Sequence, residues 1–227
     1  MAAPRASSCS IRATGFHCHT LPGGTLAARH RFDRAYYERW YRHPRHRVAT
    51  AAETDRRAAM ALGVAEWVLG RAVRHVLDVG CGEGRWRAPL VARRPGVSYH
   101  GVDSSPYVVA RYGRRRDIRL GSLGALDAIP LRESYDLIVC VDVLHYLGVR
   151  ELRAGLGHIA ARLGGVAYLP VVTASDDVEG DVRRLVRRPA AWHRRAFRDA
   201  GLLPVGLECY VRRDAAGALT SLERRPA

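Results

Sequence analysis

His75-Val76-Leu77-Asp78-Val79-Gly80-Cys81-Gly82-Glu83-Gly84 sets an apolar run against three glycines spaced two apart. The apolar part is too short for a helix and has the length of a buried strand. Glycines in this rhythm let a backbone turn sharply and approach a ligand closely, because no Cβ stands in the way. Asp103 closes the next apolar run 25 positions after Asp78. A carboxylate there can accept both hydroxyls of a ribose. A plain helix cap before Pro106 is the structural alternative for that residue, and Ser104 or Ser105 could fill the same role.

Working outward, residues 85–94 read as a helix, 97–103 as a strand, and Ser104, Ser105 and Pro106 as the opening of another helix. Together they make a βαβ unit. Strands follow near 118–120, 136–144 and 165–172, with a helix through 163 between the last two. These largely apolar runs look buried on both faces, as parallel strands are. A last helix is expected over 182–200, then an antiparallel hairpin made of 202–213, a turn at 214–217 and 218–224. Ahead of the glycine stretch, Phe32, Tyr36, Tyr37, Trp40 and Tyr41 recur at helical spacing until Pro44. A second helix over 50–73 groups Met60, Val64, Trp67, Val68 and Arg71, with Thr50 or Thr54 as its cap. The chain thus divides into a tail at 1–32 expected to lack a fixed fold, a helical cap at 33–74, and an α/β domain at 75–227.

The 227 residues suit one such domain with extensions, and no stretch is long and apolar enough to span a membrane. The 37 basic residues are all arginine and face 22 acids, a net charge of +15. The excess singles out no basic domain, with 13 arginines against 5 acids in residues 1–75 and 24 against 17 in the remainder. A dedicated nucleic-acid arm would concentrate it. Five irregularly spaced cysteines suit a reducing cytoplasm, so a cytoplasmic location is expected. Cys9, His17, Cys18 and His19 lack the paired spacing of a zinc site, and no metal is expected.

A nicotinamide dinucleotide fingerprint would need a glycine at position 85, beside the pyrophosphate. Arg85 stands there, so the loop suits a nucleoside ligand without a diphosphate.

Residues 76–86, then Tyr99-His100-Gly101-Val102-Asp103-Ser104-Ser105, then 135–147 resemble the class I S-adenosylmethionine-dependent methyltransferases, over 75 to about 213. The aromatic preface resembles the start of a bacterial subset of that family. The resemblance implies a Rossmann-like α/β fold with a seven-stranded sheet, its last strand antiparallel and helices on both faces. It also implies S-adenosyl-L-methionine as cofactor. Gly80, Cys81, Gly82 and Gly84 would line the methionine part, Asp78 would anchor the loop, and Asp103 with Ser104 would hold the ribose. The family often has an acid near the end of the third strand that meets the adenine amino group. Ser122 stands there, and the Leu123 backbone can substitute. Asp142 falls where the family places cofactor groups at the end of the fourth strand, and His145 is the candidate general base. Residues 33–47, with Tyr36, Tyr37, Trp40 and Tyr41, would form a lid whose rings face the sulfonium.

The implied reaction is methyl transfer to an oxygen or nitrogen of a small-molecule acceptor. An RNA-directed methyltransferase is the second reading, prompted by the arginine surplus. It lacks a Pro-Pro-aromatic clamp or Pro-Cys nucleophile in the fourth-strand segment. The third is a catalytically silent binding protein on the same fold.

Overall fold

The computed structural model describes residues 32–45, 49–178, 181–182 and 185–219. Seven strands form one sheet: β1 His75–Val79, β2 Ser98–Asp103, β3 Ile118–Leu120, β4 Tyr135–Val139, β5 Leu163–Tyr168, β6 Leu202–Gly206 and β7 Cys209–Arg212, in the order β3-β2-β1-β4-β5-β7-β6. Neighbours from β3 to β5 pair parallel, and β7 lies antiparallel between β5 and β6. The helices are α1 Arg34–Tyr37, which continues as a π-helical turn Glu38–Arg42, α2 Ala51–Leu69, α3 Arg87–Arg93, α4 Pro106–Arg116, α5 Val149–Arg162 and α6 Ala190–Asp199. The reversal of strand order at β1 opens a crevice between the carboxyl ends of β1 and β4, where ligands of such sheets bind.

The apolar strand runs are buried on both faces, as expected. Leu77, Val79, Ile138 and Cys140 face one core with α5 and α6, while Val76, Leu137, Val139 and Val166 face the other with α2 and α3. The two-residue period of a strand produces this division.

Helix α2 begins where Thr50 accepts the Glu53 N–H on its hydroxyl at 3.1 Å and ends at Gly70 in the left-handed region, φ +64°. Its buried face is not the one grouped above. Thr54, Ala58, Ala61, Leu62 and Ala65 pack on the sheet, and Trp67 is 84% exposed. Small side chains bring the helix close to the strands, and the larger Met60, Val64 and Val68 flank the contact.

Two expectations at the carboxyl end are corrected. The last helix starts at Ala190, because Pro189 caps it, and the described residues between β5 and that cap form a strap without helix. The hairpin turn lies at Leu207 and Glu208, with φ +51° and +58°, and residues 213–218 form a 3₁₀ turn instead. The expected second arm runs past residue 219, outside the described residues, as do the tail at 1–31 and its cysteines and histidines.

Among the described residues no helix is long and apolar enough to cross a membrane. No group of three or more histidine, cysteine or acidic residues there could hold a metal.

Candidate active site

The glycine stretch leaves β1 and folds back under β2. Gly80 and Cys81 both donate their N–H to the Val102 carbonyl, at 2.7 and 3.1 Å. Gly80, Gly82 and Gly84 hold φ +68°, +52° and +69°. The close approach is real at Gly80, where a Cβ would lie 2.2 Å from Cγ2 of Val143, in the segment that follows β4. Asp103, 6% exposed at the end of β2, accepts the Gly82 N–H on Oδ2 at 2.8 Å and the Ser105 N–H on Oδ1 at 2.8 Å. The Tyr37 hydroxyl donates to Oδ1 from 3.4 Å. Burial raises the Asp103 carboxyl above its ordinary range, and these three donors oppose the rise. The carboxylate therefore sets the shape of the loop. Of the two serines considered as a cap, Ser105 serves, accepting the Val108 N–H at 3.3 Å. Ser104 is exposed next to Asp103.

The remaining sequence-predicted residues gather at the carboxyl ends of the same strands. Ser122 is half-buried after β3, and its carbonyl accepts the Ala125 N–H. Leu123 is buried, and its side chain fills the space beside Gly155 of α5. Asp142 follows β4 with φ +57° and reaches solvent through the crevice, yet its dense surroundings raise its carboxyl. The Arg57 guanidinium of α2 opposes that rise and Glu53 adds to it. His145 lies in a 3₁₀ turn, Leu144–Tyr146, and is 4% exposed. Its Nδ1 accepts the Val172 N–H at 3.5 Å, and its carbonyl accepts the Val186 N–H at 2.8 Å.

Residues 77–165 match the family model of a methyltransferase domain. CalS10, an amino pentose methyltransferase from Micromonospora echinaspora solved with bound SAM, is similar with a TM-score of 0.55 at 20% identity, over 70% of this chain and 91% of its own. Magnesium protoporphyrin IX methyltransferase (ChlM) from Synechocystis PCC 6803 with bound SAM has a TM-score of 0.55 at 20% identity, over 82% of this chain and 95% of its own. The [4+2]-cyclase SpnF has a TM-score of 0.50 at 23% identity, over 67% of this chain and 59% of its own. No curated protein matched the chain. The strand order and the glycine loop at the β1 switch point agree with these likenesses. The chain has the class I methyltransferase fold.

In this methyltransferase fold the aromatic preface packs against the glycine loop. Tyr37 is buried and stacks on Tyr107 of α4 with ring centroids 5.8 Å apart. A Cβ on Gly82 would lie 2.6 Å from the Tyr41 hydroxyl. Arg85, the residue that stands where a dinucleotide fingerprint needs glycine, donates to the Tyr41 carbonyl and lies over the Tyr41 ring at 4.5 Å. Arg42 pairs with Glu83, the non-glycine acid inside the loop, and Ser105 donates to the Phe32 carbonyl. The π-helical turn sits at this contact, where such turns often mark function.

Sequence reasoning did not find the partner of Asp78. The Tyr99 hydroxyl donates to its Oδ2 at 2.6 Å, and burial pushes the Asp78 carboxyl up to about 7. Tyr99 stands two residues beyond the strand-opening Val97, and alternation could have placed it beneath the loop. The native state therefore binds a proton at Asp78 that the unfolded chain, near 3.8, releases. Stability is lost as pH rises between those two values and is level above the upper one. Asp78→Asn keeps an acceptor for Tyr99 and cannot ionise. Urea unfolding should find it on the order of 4 kcal/mol more stable than wild type above neutrality and close to it near pH 4. Parallel stability curves for the two proteins would refute a titrating Asp78.

Proposed function

We propose that the chain binds S-adenosylmethionine and transfers its methyl group to an oxygen or nitrogen of a small-molecule acceptor. Asp103 carries this reading, because its carboxylate closes the glycine loop from the end of β2 and keeps acceptor capacity for ribose hydroxyls. The loop is compatible with the cofactor: three glycines turn with positive φ beside Asp103, and at Gly80 the backbone passes so close to Val143 that a Cβ has no room. Gly80, Cys81, Gly82 and Gly84 would hold the methionine part, Asp103 and Ser104 the ribose, and Ser122 and the Leu123 backbone the adenine. Asp142 would face the crevice between them. When bound, the cofactor supplies an electrophilic methyl group.

The chain's own contribution is alignment and exclusion of water, which can raise effective molarity to about 10⁵–10⁸ M. Tyr37 and Tyr41, on the cap, cover the loop and keep the crevice dry, the lid role expected for residues 33–47. Nδ1 of His145 accepts the Val172 N–H, which favours the tautomer with the proton on Nε2 when the ring is neutral. A base role requires the other tautomer. His145→Gln, which can still accept that N–H, is expected to leave turnover within about threefold of wild type. A loss of about 10²–10⁴-fold would assign His145 as the base.

Calorimetric titration of S-adenosylhomocysteine into the wild-type chain tests the cofactor assignment, and absence of binding would sink it. A fold turned to another purpose is the second reading. The [4+2]-cyclase among the neighbours and Ser122 in place of an acid favour it. S-adenosylhomocysteine binding without label transfer to any acceptor from labelled cofactor would favour that reading.

A further inference from the structure

Arg188, at the end of the strap between β5 and α6, and His193, in α6, are buried polar side chains with unpaired atoms. Arg188 is the single buried arginine among the described residues, 7% exposed, and His193 is 2% exposed. Arg42, Arg71, Arg93 and Arg94, all more exposed, each face a carboxylate. Arg188 has none among the described residues. Its guanidinium lies over the Trp192 ring at 4.6 Å, and Nη2 donates to the Leu147 carbonyl at 2.7 Å, while Nη1 has no hydrogen-bond partner. Neither ring nitrogen of His193 has one either, and that ring stands edge-on to Trp192 with centroids 5.2 Å apart. Burial lowers the histidine and the nearby Arg188 charge lowers it further, so the ring is neutral and offers one N–H.

A guanidinium withdrawn from water with no counter-ion costs more than one bond to a carbonyl returns. Arrangements that lower stability in this way belong to functional sites more often than to scaffolds. The location supports that reading. The Ala174 N–H donates to the Arg188 carbonyl at 2.9 Å and the Val186 N–H to that of His145, so the strap closes over the turn that follows β4. Helix α6, ten residues long, starts two positions after Arg188 with no side-chain cap, and its positive end adds to the charge of the guanidinium.

We propose that Arg188 and His193 form an oxyanion subsite, which takes a carboxylate or phosphate carried by the acceptor beneath the strap. The free Nη1 hydrogens of Arg188 and one His193 N–H would receive its oxygens. This deepens the methyltransferase reading and rests on it only for the claim that the oxyanion belongs to a methyl acceptor.

The test titrates sodium phosphate and sodium acetate into the full chain, each against sodium chloride of equal ionic strength, with and without S-adenosylhomocysteine. At least one oxyanion should raise the melting temperature of wild type beyond the chloride control, and the stronger of the two tells phosphate from carboxylate. Arg188→Met should weaken the apparent affinity at least about tenfold. Without added oxyanion it should melt no lower than wild type, because an apolar side chain replaces an unpaired buried charge. His193→Phe, which keeps the ring packing, should weaken the response by a smaller factor. The proposal is overturned if neither oxyanion exceeds chloride on wild type. It is equally overturned if Arg188→Met responds like wild type, or melts several degrees lower, as a scaffold residue would. An oxyanion response without S-adenosylhomocysteine binding would sink the methyltransferase reading and leave the subsite standing. The reverse pattern would sink the subsite alone.

Discussion

Asp103→Ala is expected to weaken S-adenosylhomocysteine binding by about 100-fold or more in a calorimetric titration. A hydrogen bond to a charged acceptor contributes about 1.5–3 kcal/mol, and each 1.4 kcal/mol is about tenfold in affinity. Loss of even one ribose hydroxyl contact therefore gives about tenfold, and loss of both gives the larger figure. A further loss comes from the loop. The Gly82 and Ser105 N–H groups, at 2.8 Å from the two carboxylate oxygens, lose their acceptor, and Gly82 has to give up its conformation or remain unpaired. Asp103→Asn separates these effects. Its single carbonyl can serve one of the two N–H groups while its NH₂ confronts the other, so its affinity should fall between wild type and alanine. Binding unchanged in both variants would remove Asp103 from the site.

The features that could be read from the sequence are those for which few residue types will serve. Three left-handed positions in the turn after β1 admit glycine with least strain, so Gly80, Gly82 and Gly84 mark the loop directly. The parallel strands could be read because both faces are covered, which leaves largely apolar runs in β1, β4 and β5, broken by the acids Asp78 and Asp136. Where several residue types are tolerated, the text is silent. Leu207 and Glu208 carry the β6–β7 turn in the left-handed region without glycine or asparagine, held by the strands on either side, while the more turn-like residues 213–218 wind into a 3₁₀ turn. The alanine face of α2 went unread because close packing, not side-chain size, buries it. Arg188 could not be told from the other thirty-six arginines, since burial is decided by the strap and not by its neighbours in sequence. Asp142 was placed by its position after β4, but Arg57 and Glu53 opposite it come from a helix more than eighty residues earlier.

Alanine at Gly80 and alanine at Gly82 should fail differently, and the difference tests whether the aromatic cap can move. At Gly80 the new Cβ would meet Cγ2 of Val143 at 2.2 Å. Val143 follows β4 next to Asp142, itself at φ +57°, so relief requires the segment after β4 to shift. Left-handed strain of about 1–2 kcal/mol and overpacking of about 1–3 kcal/mol add, for a total near 3 kcal/mol in stability. S-adenosylhomocysteine binding should be lost as well, since the cradle itself is displaced. At Gly82 the new Cβ would meet the Tyr41 hydroxyl at 2.6 Å and its ring at 3.1 Å. That is the far end of a side chain on the cap, and lifting the cap relieves it. The folding cost of Gly82→Ala should then stay near the strain alone, about 1–2 kcal/mol. Its ligand should leave faster, and in the Tyr41→Ala background, where the contact is gone, Gly82→Ala should again cost only the φ strain. In the Gly80→Ala background, Val143→Ala removes the contact atom but leaves the cradle altered, so binding should not return. Equal losses at the two glycines, unrelieved by Tyr41→Ala, would mean that the cap is fixed scaffold, and that residues 33–47 support the loop without opening over it.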